Sequence, residues 1–225
     1  MALIDEETKG QIRERLAKTL TGPVELRLYR RPDSGRLILP GGLGCSNCNE
    51  AEELARTLTE AAPDKLRLTV IDTSLEPAEV EAVPSLTVST PGEEGRISFQ
   101  GLPAGYEFAT LLDAIERTSG QGDGLSPEVA ERLSELDTEV EVMVFVTPTC
   151  PYCPGAASMA NRMALASPRV HAIVVEANEY PELVHCHPVQ GVPRTVVNRS
   201  GAFVGALPEA TFVESVLQLA AGETA

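Results

Sequence analysis

Four of the five cysteines in this 225-residue chain form two Cys-x-x-Cys pairs, Cys45-Ser-Asn-Cys48 and Cys150-Pro-Tyr-Cys153. Each pair follows a segment patterned like a strand and opens one patterned like a helix. Each is also followed by a Val-Pro dipeptide, 39 residues on from Cys45 to Pro84 and 43 residues on from Cys150 to Pro193. Close cysteine pairs serve thiol–disulfide exchange or bind metal, and the repetition of the whole context points to exchange. The alternative is a zinc-stabilised interaction protein. Zinc knuckles commonly lie ~15 to 20 residues apart, whereas 105 residues separate Cys45 from Cys150.

The thiolate is the attacking species, and a cysteine at a helix N-terminus faces unpaired N–H groups and the positive end of the helix dipole. The first cysteine of each pair takes that place. The second lies about a turn inward, where it can close on a mixed disulfide in an intramolecular step. The two pairs are unequal. Cys48 is followed by Asn49-Glu50-Ala51-Glu52-Glu53, whose three carboxylates oppose the dipole at Cys45. From Pro154 to Val175 there is no acidic residue, and Arg162 adds positive charge. Cys150 is therefore read as the stronger nucleophile and Cys153 as the resolving thiol. Pro151 stiffens the loop, and Tyr152 offers an aromatic surface beside the sulfur.

The elements that must position these pairs repeat. Ile12, Leu16 and Leu20 mark a first helix, Val24 to Tyr29 a strand, and Ala51, Leu54, Ala55 and Leu58 the helix behind Cys48. Strands follow at Leu66–Ile71, Ser85–Val88 and Arg96–Phe99, and a closing helix carries Phe108, Leu111, Leu112 and Ile115. The second half repeats the order from Ser126-Pro127-Glu128, which reads as an N-cap and helix start. A strand at Glu141–Thr147, a helix at Pro154–Ala166, a strand at Val170–Val175 and a connection holding His185 to Pro188 come next. Strands around Val196 and Val204 and a helix with Phe212, Val216 and Leu219 complete it. Ser119-Gly-Gln-Gly-Asp-Gly124 reads as the linker, dividing the chain into residues 1–119 and 120–225.

This order, strand into Cys-x-x-Cys into helix and later a hairpin introduced by Val-Pro, resembles the thioredoxin and glutaredoxin family, and Cys-Pro-Tyr-Cys is the dithiol motif of glutaredoxins. Two such units in one chain look like the glutaredoxin-like protein disulfide oxidoreductases. The resemblance implies an α/β fold of two tandem thioredoxin-like units, each a mixed sheet flanked by helices. It implies reduction, formation or isomerisation of protein disulfides through the cysteines, with no metal or organic cofactor and with a thioredoxin-reductase-type flavoprotein as electron donor. It also implies that Val83-Pro84 and Val192-Pro193 are cis, oppose the Cys-x-x-Cys loops and leave the preceding residue's backbone to pair with an extended substrate. An electron-transfer module for one peroxide-reducing or reductase partner is a second enzymatic reading. Cys45-Ser-Asn-Cys48 departs from the usual intervening residues, leaving open whether the first pair turns over or relays. Thioredoxins bury an acid six residues before the first cysteine, where this chain has Leu39 and Val144, so the proton acceptor for Cys153 is unassigned.

With 33 acidic against 18 basic residues, the net charge of −15 repels nucleic acid and anionic membrane surfaces. The sequence shows neither a membrane-spanning apolar run nor a signal peptide, and the expectation is a soluble cytoplasmic protein. Cys186, between His185 and His187, is read as a small buried hydrophobe rather than a ligand or resolving thiol. Met159 and Met163 are read as core.

Overall fold

The computed structural model describes residues 3–31, 45–75 and 80–222. The first half runs α1 (Glu6–Thr19), β1 (Val24–Arg30), α2 (Cys48–Ala61), β2 (Leu66–Asp72), β3 (Ser85–Ser89), β4 (Ile97–Gln100) and α3 (Tyr106–Glu116). The second runs α4 (Pro127–Ser134), β5 (Val140–Val146), α5 (Cys153–Ala166), β6 (Val170–Glu176), α6 (Pro181–Cys186), β7 (Arg194–Val197), β8 (Gly201–Val204) and α7 (Glu209–Ala220). The stretch read as a connection around His185 contains α6, which Pro181 starts and which Leu183 pins to the sheet.

Each half has the same strand plan. A central strand is parallel to the one after its cysteine helix and antiparallel to the first strand of the hairpin that follows. The two sheets do not stay separate. β4, the outer hairpin strand of the first half, pairs in parallel with β6 of the second, Phe99 opposite Val174. The result is one eight-stranded mixed sheet in the order β2-β1-β3-β4-β6-β5-β7-β8. Joining two edges gives their N–H and C=O groups partners and removes two sites of stray pairing.

Burial explains the strand sequences. Val24, Leu26 and Leu28 of β1 face the main core, while Glu25, Arg27 and Tyr29 face a side with less cover, so the strand alternates. In β5 one face, Val140, Val142, Val144 and Val146, enters the main core. The other, Met143 and Phe145, packs under Tyr180 and Leu183, giving a nearly continuous apolar run. Met159 and Met163 are buried in the main core as expected.

The Ser119–Gly124 stretch is not a free tether. Arg117–Gln121 prolongs α3 as a π-helical turn, Ser119 is buried, and its carbonyl oxygen accepts the Thr21 hydroxyl. Arg162 of α5 donates to the carbonyls of Asp123 and Gly124. Glycines here permit a tight packed turn, because Gly120 takes φ +123°. A second fastening is the paired donation of Arg15 Nε and Nη2 to the buried Glu116 carboxylate, at 2.6 and 2.9 Å, which ties α1 to α3.

Candidate active site: two dithiol loops

Each pair sits where a central strand ends and a helix begins. Cys150 closes a turn, its N–H donating to the Thr147 carbonyl at 3.1 Å, and α5 starts at Cys153. Both pairs are in the disulfide state, with Cα–Cα distances of 5.5 Å for Cys45–Cys48 and 5.4 Å for Cys150–Cys153. In each, the first cysteine is the more accessible: Cys45 is 6% and Cys150 9% exposed, against 1% for Cys48 and 0% for Cys153. The first sulfur of each pair is thus the less enclosed one, the side from which an external thiol or disulfide would approach.

Val83–Pro84 and Val192–Pro193 are both cis. The second lies against its dithiol, the Val192 carbonyl oxygen 3.8 Å from Cys150 Sγ. Pro151 and Tyr152 are exposed beside Cys150. The carbonyl oxygens of Pro84 and Pro193 accept from Gly101 and Gly205, at 2.8 and 2.9 Å, so the repeat extends to the turns that hold the prolines. Pro84 has a further donor, the hydroxyl of Tyr180 from the second half.

The charges around the two helices differ from a reading of sequence neighbours. Burial raises the Glu52 carboxyl, but Arg56 and Arg30 outweigh that and hold it below its usual range, so its charge is largely matched. Arg162 is likewise paired, with Glu209 at 3.0 Å, so its charge too is matched nearby. What remains of the contrast is the first turn itself, which holds Glu50 in α2 and no acid in α5.

Of the two positions six residues before the first cysteines, Leu39 lies outside the described residues and Val144 is core. A buried acid comes instead from the first half. Glu107 of α3 lines a small cavity with Val146, Val174 and Glu176. Among the described residues neither of its carboxyl oxygens has a well-formed hydrogen bond, and burial, only partly offset by the nearby Thr110 hydroxyl, pushes its pKa up to about 7. α3 and α5 both start at the Thr147–Cys150 turn, since the Tyr106 N–H donates to the Pro148 carbonyl at 3.1 Å. Further along, the Ser158 hydroxyl donates to Asp113 at 2.8 Å, so the helices run side by side in one direction. Cys153 stands at the start of α5, five residues before Ser158, and Glu107 near the start of α3, six residues before Asp113. Sequence reasoning missed it because it sits in the other half, where α3 reads as an ordinary amphipathic helix.

Cys186, expected to be buried, is exposed at the end of α6 beside the exposed His185. His187 turns inward against Phe145, ring centroids 5.5 Å apart. Among the described residues no three His, Cys, Asp or Glu side chains gather as a metal-ligand set, and each cysteine pair closes on itself. No helix among them is long and apolar enough to cross a membrane.

Residues 139–218 match the Thioredoxin domain family. The whole chain superposes on a protein disulfide oxidoreductase from Aeropyrum pernix K1, with a TM-score of 0.85 and 28% identity over 97% of that chain. The fold is also that of the alkylhydroperoxide reductase AhpF from Enterococcus faecalis, with a TM-score of 0.81 and 22% identity, covering 95% of this chain and 99% of that one. Two curated relatives are the F component of a Staphylococcus aureus alkyl hydroperoxide reductase, 27% identical over 67% of this chain, and a Ferdinandcohnia aciditolerans NADH dehydrogenase, 25% identical over 89%. The chain spans only 28% and 37% of their lengths. Fold and site together define an enzyme of thiol–disulfide exchange, built on tandem thioredoxin folds.

Proposed function

We propose that the second dithiol is the working site, Cys150 attacking and Cys153 resolving, and that its substrates are disulfides of other proteins. In the reducing direction the Cys150 thiolate attacks one sulfur of the substrate disulfide. A mixed disulfide forms, and the other substrate sulfur leaves as thiolate. Cys153, deprotonated by the Glu107 carboxylate, then attacks Cys150 Sγ, forming the Cys150–Cys153 disulfide and releasing the second substrate thiolate. Two electrons pass to the substrate, and the proton of Cys153 rests on Glu107. The Val192 backbone lines the approach. Val83, Pro84 and the Cys45–Cys48 pair form an equivalent site or relay in the first unit, residues 1–119, with the working site in residues 120–225. A thioredoxin-reductase-type flavoprotein would return the electrons, and the cycle suits a reducing cytoplasm.

The observation that carries this reading is the pairing of Cys150, the less enclosed of the two and with its sulfur against the Val192 carbonyl, with a fully buried Cys153 at a helix start without acid. The test is insulin reduction with dithiothreitol. Cys150→Ser should lower the rate by about two orders of magnitude or more, and full activity in that variant would reject the assignment. A second reading, electron transfer to one peroxide-reducing partner, is supported by the relatives named for alkyl hydroperoxide reductase. It predicts that Cys45→Ser and Cys48→Ser leave turnover intact, whereas a relay through the first pair predicts a loss.

A further inference from the structure

The second dithiol is rimmed by residues from both halves. Gly105 and Tyr106 of the first half abut the turn that presents Cys150, the Tyr106 N–H holding the Pro148 carbonyl at 3.1 Å and Gly105 packed against the same carbonyl. The next residue, Glu107, is buried, and Tyr106 is left facing solvent at 53% exposure. On the other side of the turn Tyr152 is 71% exposed. Two of the exposed large apolar side chains among the described residues thus belong to two loops that meet at the Pro148 carbonyl, two residues before Cys150. Burial of apolar area is the general driving force for docking, and tyrosine supplies it with little loss of conformational freedom.

The chemistry of the rim is distinctive in this chain. Residues 103–106, Pro-Ala-Gly-Tyr, and 147–152, Thr-Pro-Thr-Cys-Pro-Tyr, contain no charged side chain, although the protein carries a net charge of −15. These two stretches therefore do not select partners by charge. Cys150 is only 9% exposed and its sulfur lies 3.8 Å from the Val192 carbonyl oxygen, so a substrate sulfur has a narrow approach to it. A chain segment that lies across the rim brings its disulfide there; a small disulfide needs no such contact.

We propose that Tyr106, contributed by the first unit, is a specificity-determining residue of the second dithiol, forming with Tyr152 an uncharged aromatic rim that binds an extended apolar segment of an unfolded protein disulfide. This rests on the reading of Cys150 as the nucleophile. The site is then shared between the halves, and its preference for protein over small disulfides is set by a residue outside the unit that carries the cysteines. The repeat makes the arrangement one-directional, because the last helix of the first unit begins beside the dithiol of the second.

The experiment measures the full-length reduced protein with two substrates, insulin and hydroxyethyl disulfide, in Tyr106→Ala and Tyr106→Phe. Tyr106→Ala should raise KM for insulin about five- to tenfold, with kcat for insulin and the rate with hydroxyethyl disulfide unchanged. Tyr106→Phe, which keeps the ring, should restore KM to within about twofold. An unchanged KM for insulin in Tyr106→Ala overturns the proposal, as does an equal loss with both substrates, which would mean a disturbed Cys150 turn rather than a lost contact. Cys150→Ser separates the two layers. If it retains insulin turnover, the reading beneath has failed; if it abolishes turnover while Tyr106→Ala is silent, only the rim has failed.

Discussion

The Tyr180 hydroxyl donates to the Pro84 carbonyl oxygen at 3.2 Å, so a residue of the second half holds the proline loop of the first. Tyr180 is buried, and burial raises its pKa far above the usual phenol range, so it stays a donor at any working pH. Nearby, the Leu102 N–H donates to Glu179 at 2.7 Å, anchoring the same segment to the turn after β4. Tyr180→Phe keeps the ring and removes the donor. The Pro84 carbonyl retains Gly101, so the loss should be about 1 kcal/mol, lowering Tm by roughly 2–4 °C. Calorimetry of the oxidised protein decides it, and an unchanged Tm would mean that the bond adds nothing net.

Gly105 sits at φ +60° and ψ −128°, and a Cβ there would overlap the Pro148 carbonyl oxygen. An alanine must strain the backbone and push against the turn that carries Cys150. Gly105→Ala should therefore cost about 2–4 kcal/mol and slow the reaction with hydroxyethyl disulfide as well as with insulin. That shared loss distinguishes it from Tyr106→Ala. Stability and both rates equal to the parent's would show that α3 and the turn are not closely fitted.

Four cysteines close in two pairs, and Cys186 alone is a free, exposed thiol. Titration of the native oxidised protein with a thiol-reactive chromophore should give one equivalent, rising to five after full reduction and unfolding. Peptide mapping should place the native equivalent at residue 186. Zero equivalents, or label on Cys45 or Cys150, would contradict the pairing.

The unit fold was readable because its signals are local. Alternation in β1, a proline at the start of α4 and a cysteine at the start of each motif helix depend on near neighbours. What bridges the halves was not readable. β4 meets β6 through backbone edges, which carry no side-chain signature, and α6 is too short for a helical period to show. Arg162 looked like a charge for Cys150 because its partner Glu209 lies 47 residues away. Glu107 escaped notice for the same reason: a carboxyl on an amphipathic helix looks solvated until the second half covers it.

That covered carboxyl gives the clearest pH signature. Burial pushes Glu107 from the usual carboxylate value up to about 7, and Glu176, which shares its cavity, is also raised by burial. Between pH about 4.5 and 7 the folded chain keeps the Glu107 proton that the unfolded chain releases, so stability falls as pH rises through that window and then levels off. At about 1.4 kcal/mol per unit, ionising Glu107 costs the fold roughly 3 kcal/mol by pH 8. Glu107→Gln removes this cost. In urea unfolding the variant should match the parent at pH 4 and exceed its stability by up to that amount at pH 8. The same change should erase an apparent pKa near 7 from the pH profile of Cys153-dependent release of the mixed disulfide. A stability difference that does not vary with pH would mean that Glu107 is solvated and cannot hold the proton of Cys153.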